Sequence, residues 1–432
     1  MKTILVAGAG HGGLSAAIHL AKAGFDVTVV EKQARDALGY DWDDAIRRNT
    51  FQHADLPNPP EDLFIHGERM SYRGPSKRKV VIAPNPPSSN CVFIDRKGLL
   101  KYLLDLAEES GVRLRFERKI LGAVVEGDRV TGLRVACPAG ETFMPADLVI
   151  DAAGMHSPVR ASLPAEAGIP ARVPPESTFY AWRGYFAVSE TLMKDPAYNV
   201  YFYHCGAPGM DWMLTRGTHA DVLIGSFHPM QQADIEARVA DFRREYPQMT
   251  DKLIAGGRYE TIPLGAWTPV FVWNGYAAVG NSACMTEPLS GSGMDLSIRI
   301  GKALADVVIE AEDFTIDALW PYNYKAIHSF AHRYYSDMLI KRLLSALTGE
   351  EIDFLLEKNV LTEKELCDGG KKYTLMQLLK KGNMIRRPRL VASLTQMLQK
   401  TKQLTQLREA LPQTYDPEGV QKWKALYASI LG

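Results

Sequence analysis

The chain of 432 residues has no excess of charge of either sign: Lys plus Arg and Asp plus Glu are both 50. That balance argues against nucleic acid as a main partner, because such proteins carry a basic footprint. Cysteine is scarce. The five, Cys91, Cys137, Cys205, Cys284 and Cys367, are scattered and contain no CxxC. They give no zinc or iron–sulfur pattern and suit a reducing cytoplasm. No run approaches the roughly 18 apolar residues of a membrane-crossing helix. The expectation is a cytoplasmic protein with at most peripheral membrane contact. Lys2 ahead of an apolar run imitates a leader, but the glycine cluster, His11 and His19 argue against one. Internal repeats and low-complexity segments are also missing. The length allows two or three packed layers or domains around a large core.

What is present begins at the first residues. Thr3-Ile4-Leu5-Val6-Ala7 is a short apolar run, the pattern of a buried parallel strand. It runs into Gly8-Ala9-Gly10-His11-Gly12-Gly13, a GxGxxG with one glycine to spare. Leu14, Ala17, Ile18 and Ala21 then share one helical face, and Phe25 to Val30 reads as a second strand ending at Glu31. The glycines permit a tight turn and let the backbone approach a pyrophosphate at the positive end of the helix. An acid roughly 20 residues on can accept from a ribose 2′-OH. Strand, glycines, helix, strand and acid in register predict a dinucleotide-binding unit. A second GxGxxG in that context is missing.

Lys32 to Asn90 reads as a polar, proline-rich loop region. Within it, Gly39-Tyr40-Asp41-Trp42-Asp43-Asp44 is either a ligand-contacting loop or an acidic turn with one packed tryptophan. Phe93 to Arg96 leads into a helix over 97–110, where Arg96 either reaches a phosphate or lies in solvent. Val112 to Val135 reads as a meander turning at Gly127-Asp128. Asp147 to Gly154 is a further buried strand ending at a glycine. Residues 175–270 turn aromatic and alternating, which predicts an antiparallel sheet. Its aromatics are core residues or, on the sharper reading, a substrate wall. After the strand 275–280 a loop rich in small residues precedes a helix from Asp295, and from Thr315 the chain reads as helical. The basic stretch Lys371 to Arg389 is first a solvated face and second a membrane-surface patch.

The glycine-bearing segments, in this order and spacing, resemble a flavoprotein superfamily that includes the aromatic-ring hydroxylases and the geranylgeranyl reductases. The resemblance implies an α/β fold: a Rossmann-type FAD-binding domain (1–174 and 271–312), an inserted antiparallel-sheet substrate domain (175–270) and a helical C-terminal region (313–432). It assigns Gly8, Gly10, Gly12, Gly13, Glu31 and Lys32 to the ADP half of FAD. Trp42, Asp43, Arg96, Gly154, Gly280, Asn281, Gly291, Gly293 and Met294 would also meet FAD, and the backbone of Ile120 its adenine. Asn281 stands where the family usually has an aspartate, so it accepts without charge. Ala153-Gly154 stands where hydroxylases carry Asp-Gly. Pro208 to Leu214 is similar to a degraded substrate signature of the geranylgeranyl reductases, which makes that branch the nearer one.

The resemblance implies an FAD-dependent reductase or dehydrogenase. It would act on C=C or C–C bonds of an apolar substrate, such as a prenyl or polycyclic one, by hydride transfer at flavin N5. The alternative is a monooxygenase or halogenase working through a C4a adduct; a third reading keeps FAD as a redox-neutral cofactor. NAD(P)H, without a Rossmann domain of its own, or an electron-donor protein would supply electrons. Tyr180, Trp182 and Trp212 are candidate substrate-pocket walls. Tyr203, His204 and Asp211 are weak candidates for catalysis.

Overall fold

The computed structural model describes residues 1–65, 67–83, 91–138, 140–265, 267–363, 366 and 387–431. Thr3–Ala7 is apolar on both faces because it runs through the middle of a largely parallel sheet. Across that sheet the order is Val272–Trp273, Tyr276–Ala278, Leu148–Asp151, Thr3–Ala7, Asp26–Val30 and Arg113–Arg115. All neighbours pair in parallel except the first two. Arg113–Arg115 therefore belongs to this sheet and not to the expected meander, which consists of Lys119–Glu126, Arg129–Cys137 and Gly140–Pro145.

The helices His11–Lys22, Arg96–Glu109 and Met294–Glu310 pack on one another beside the sheet. Asp95 starts the second of them, its carboxylate accepting from the Lys97 and Gly98 amides as an N-cap. The stretch read as polar loop contains short strands. Asp43–Arg47 and Phe64–Ile65 flank Cys91–Asp95, while Met70–Arg73 and Val80–Ile82 join the sheet of the aromatic region.

That second sheet runs Met249–Pro263, Thr178–Leu192, Gly217–Ser226, Met210–Thr215, Tyr198–Phe202, Met70–Arg73, Val80–Ile82. It is antiparallel apart from the pairing of Tyr198–Phe202 with Met70–Arg73. The helix Gln232–Glu245 covers one face. The other face looks toward the parallel-sheet unit and the tail.

The tail serves both halves. Trp320, Trp423 and Tyr427 complete the core around the parallel sheet, whereas Leu355, Leu356, Leu390 and Leu394 pack with Tyr72 and Val200 of the large sheet. Pro388 opens a helix, Pro388–Glu409, where its missing amide is harmless. Of the expected helical tail, residues 364, 365 and 367–386, with the basic stretch as far as Arg386, lie outside the described residues. Among the described residues no helix is long and apolar enough to cross a membrane.

Candidate active site

Parallel pairing brings the carboxyl ends of four strands to one edge, where Gly8, Glu31, Gly154 and Gly280 follow them. Such an edge is where ligands bind in open α/β sheets. Gly8 has φ +92°, and a Cβ there would lie 2.7 Å from the Ala152 carbonyl oxygen. Gly13 would meet the Ala152 and Val6 side chains at 2.5 and 2.9 Å. Gly10 caps the helix without any side-chain bond, so its leading amides are free for a ligand. Glu31 is buried; its carboxylate accepts from the Ala9 and Gln33 amides at 3.0 and 2.9 Å, which fixes the glycine turn from behind. Lys32 is exposed. Ile120 is buried in the core, in the strand that follows the backbone contacts of Glu31 with Arg115 and Arg118.

The second rim is the loop before Met294–Glu310. Gly280 has φ +67° and Gly291 φ +71°. Asn281 Oδ1 accepts from Thr286 Oγ1 at 3.3 Å, an inward use of the amide. Gly293 caps the helix with no side-chain bond, and Met294 behind it is buried. This helix and His11–Lys22 touch backbone to backbone. A Cβ on Gly301 would lie 2.3 Å from the Gly12 carbonyl oxygen, and one on Gly12 would lie 2.9 Å from that of Ser297. Between the rims, Asp151 is fully buried and accepts from Ala153 N, Ser157 Oγ, Ser282 Oγ and Tyr276 OH. Burial raises it above the usual carboxylate range despite those four donors. Gly154 donates to Ser282 Oγ and has open space where a side chain would stand.

A charged cluster closes the crevice on the side of the large sheet. Arg183, 2% exposed, binds Asp221 through Nε and Nη2 at 2.9 and 2.6 Å, and reaches the Asp43 carbonyl and carboxylate at 2.6 and 3.0 Å. Asp43 also pairs with Arg216 and accepts from Tyr185 OH at 2.9 Å. Asp44 pairs with Arg96 at 2.8 Å. Burial opposes charge on Arg183, but Asp221 outweighs it and holds the guanidinium well above its ordinary value. Arg96 lies over the Tyr40 ring at 4.6 Å, and Tyr40 stacks on Trp42 at 4.8 Å. The Nε of Arg96, Nε1 of Trp42 and Nε2 of His11 are buried without hydrogen-bond partners. Burial, with Arg96 nearby, pushes His11 down to about 3, so the imidazole is neutral at the helix start.

Strand alternation separates the aromatic candidates. Trp212 lies on the face turned to the crevice, beside Tyr198 (5.7 Å) and Arg183 (5.6 Å). Trp182 points the other way and packs with Phe186, Ile224 and Phe242 under the helix Gln232–Glu245. Tyr180, two residues earlier in the same strand, shares that outer side and meets Tyr259. One wall cannot contain all three.

The weak catalytic candidates divide: His204 and Asp211 lie on the outer side of the sheet, whereas Tyr203 packs with Tyr72 and Val200 under the tail helices. His204 is held by Asp211 (2.8 Å) and Asp241 (2.9 Å), and Asp211 also binds Arg238 at 3.0 Å. Tyr203 donates to the Leu347 carbonyl at 2.5 Å. These groups are consumed in structural bonds. Sequence reasoning passed over Arg183, Asp221, Arg216 and Tyr185. The available signal was charge on alternate positions of otherwise apolar strands, where solvent would have required polar neighbours too.

A family model described as FAD dependent oxidoreductase matches residues 3–195. The chain is 24% identical over 368 residues to a digeranylgeranylglycerophospholipid reductase of Picrophilus torridus, covering 82% of this chain and 90% of the relative. A protein of the same description from Sulfolobus acidocaldarius is 21% identical over 446 residues, covering 99% and 97%. Among solved structures, a geranylgeranyl bacteriochlorophyll reductase-like protein from Thermoplasma acidophilum superposes with a TM-score of 0.73. It is 19% identical, and the match covers 92% of this chain and all of that one.

Proposed function

We propose that this chain, an FAD-dependent oxidoreductase related to the geranylgeranyl reductases, reduces or dehydrogenates C=C or C–C bonds of an apolar, prenyl-like substrate. One observation carries the reading. Trp212 stands with Tyr198 beside Arg183 and Trp42 at the crevice, and this aromatic surface continues through Tyr72 and Phe202 under the apolar tail helices, which suits a long hydrocarbon better than a small polar molecule.

The residues present fit FAD. Gly8 makes the tight turn, Gly10 leaves the helix start uncapped where a pyrophosphate would sit, Glu31 stands where a ribose hydroxyl would donate, and the buried Nε of Arg96 lacks a partner. Gly293 and Met294, at the uncapped helix start, would offer amides to the flavin ring. When bound, FAD supplies reversible hydride transfer. The chain contributes position and dryness. Arg183, Asp43 and Asp221 fix the loop carrying Trp42, and the tail helices close the apolar side against water. NAD(P)H or a reduced carrier protein would deliver electrons.

The test is a visible spectrum of the purified chain, followed by anaerobic additions of NADPH, NADH or dithionite and then a prenyl lipid. Yellow protein bleached by a donor and reoxidised by the lipid supports the reading. Flavin reoxidised by oxygen alone, with substrate-stimulated oxygen uptake, would replace it with an oxygenase.

A further inference from the structure

The helix Tyr335–Ala346 carries two ionisable side chains that the fold buries without pairing. Asp337 is 6% exposed, and its Oδ1 has no hydrogen-bond partner. One turn on, Lys341 is equally buried; its Nζ reaches the Glu176 carbonyl at 3.3 Å and lies 5.4 Å from the Phe227 ring centre. Among the described residues no ion pair joins the two. Leaving a carboxylate unpaired inside a protein is so unfavourable that the neutral acid is the stable form. Burial, with the Glu287 carboxylate facing it, pushes Asp337 up to about 7. Burial, with Arg342 adjacent, brings Lys341 down to about 8.

The position gives this acid a purpose. The start of the helix lies over Glu287, the base of the turn that closes from Gly291 N to the Glu287 carbonyl and leads into Gly293. Tyr334, just before the helix, shares the field of Glu287 with Arg47, Asp295 and Arg299. Further along, Lys341 meets Phe227, which packs on Phe179 at 5.3 Å in the apolar cluster with Leu223, Leu264 and Trp212. The open side of Gly291 faces Leu264 and Ile262 at 3.8 and 3.9 Å. The helix therefore bridges the glycine loop and the apolar wall. On the remaining side the last helix touches it through Tyr427, whose ring meets Tyr335 at 5.7 Å.

We propose that Asp337 is the proton donor that completes reduction of a substrate double bond; this rests on the reading of the chain as a C=C reductase. The reduced flavin is the hydride source. Hydride forms a C–H bond at one alkene carbon, and the π pair takes the Asp337 proton at its neighbour. The π bond, the O–H bond and the flavin N–H bond that gave the hydride break, two C–H bonds form, the flavin is left oxidised and Asp337 is left as carboxylate. Water then reprotonates it. In dehydrogenation the same carboxylate accepts the proton. An acid with its value near the working pH is the effective one for both directions.

The experiment has two arms on the full chain. In the first, protein labelled with ¹³C at aspartate carboxyls is titrated, without any substrate. The wild type should show a carboxyl titrating near neutrality that Asp337→Asn lacks; its absence from the wild type overturns the proposal. In the second, FAD-loaded protein reduced by dithionite is mixed anaerobically, in D₂O, with a geranylgeranyl-ether phospholipid in detergent. The expected product carries two solvent deuterons per reduced bond, one passed on from the flavin nitrogen that took it up on reduction and one from the Asp337 carboxyl. Asp337→Asn should form it about a hundred- to ten-thousand-fold more slowly, with flavin content and bleaching unchanged, and Asp337→Glu should recover part of the rate. A wild type that forms no product refutes the reductase reading. A wild type that forms product while Asp337→Asn matches it refutes the proton donor alone.

Discussion

The two faces of the large sheet each bury a cluster of ion pairs, and the clusters differ in what they join. On the outer face, His204, Asp211, Arg238, Asp241, Lys77, Glu245 and Arg73 tie the sheet to its own helix Gln232–Glu245 and to the strand extension at 73–77. On the inner face, Arg183, Asp221, Asp43, Asp44, Arg216 and Arg96 tie the sheet to a loop of the dinucleotide-binding unit. Identical chemistry thus stabilises a layer in one place and sets the position of a site wall in the other. A buried pair contributes little net stability over an apolar replacement, but breaking one side of it is expensive. Location decides what breaks with it.

The largest effect should come from Arg183→Met. Asp221 and the Asp43 carboxylate lose their shared cation, so unfolding free energy should fall by about 3–5 kcal/mol. Flavin should be lost as Trp42 and the start of the strand Asp43–Arg47 move, read as flavin per chain after gel filtration. Retention of full flavin at reduced stability would make the two faces equivalent after all. Asp211→Asn strips the outer cluster of its central charge and should lower stability by about 1.5–3 kcal/mol. Here flavin content should stay at the wild-type level. A colourless but folded Asp211→Asn protein would erase the contrast from the other side.

Gly301→Ala forces a methyl against the Gly12 carbonyl, and such overpacking should lower stability by about 1–3 kcal/mol. It should also weaken flavin binding, seen by titration of the apoprotein. The smallest effect concerns acid. For Asp241 and Glu245 burial opposes ionisation, but Lys77 and hydrogen bonds outweigh it and hold both below their ordinary values of 3.8 and 4.5. With depressed values in the folded state, their contribution is present above those ordinary values and is lost as pH falls below them. The urea midpoint should drop on acidification below about pH 4.5, and Lys77→Met should shallow that drop by well under about 1 kcal/mol, the pair being partly solvated.

These regions were not equally legible in the sequence. Thr3 to Glu31 could be read because every part of that unit is a local pattern: an apolar run, glycines, one helical face and an acid at a strand end. The loop of small residues before Met294 was legible for the same reason. Lys32 to Asn90 was not, because its strands are two to five residues long and gain their partners from residues 91–95 and 198–202. Trp182 and Trp212 look alike in sequence. Which face each occupies depends on register against Ile224 and Leu223, a relation between strands that no single segment encodes. Arg183 was missed because a charge in a strand ordinarily marks the wet face, and only Asp221 on the neighbouring strand reverses that meaning.

The contact of Gly12 with Gly301 has a metrical consequence. It welds two helices whose uncapped starts, at Gly10 and Gly293, are the jaws that would hold the opposite ends of one ligand. With no side chain between them to compress, the jaws behave as a calliper set to a single gauge. A dinucleotide of the right span closes both at once. On the proposed reading a mononucleotide half would fill either jaw but not engage the pair, so the backbone itself would select by length before any side chain reads the ligand's chemistry.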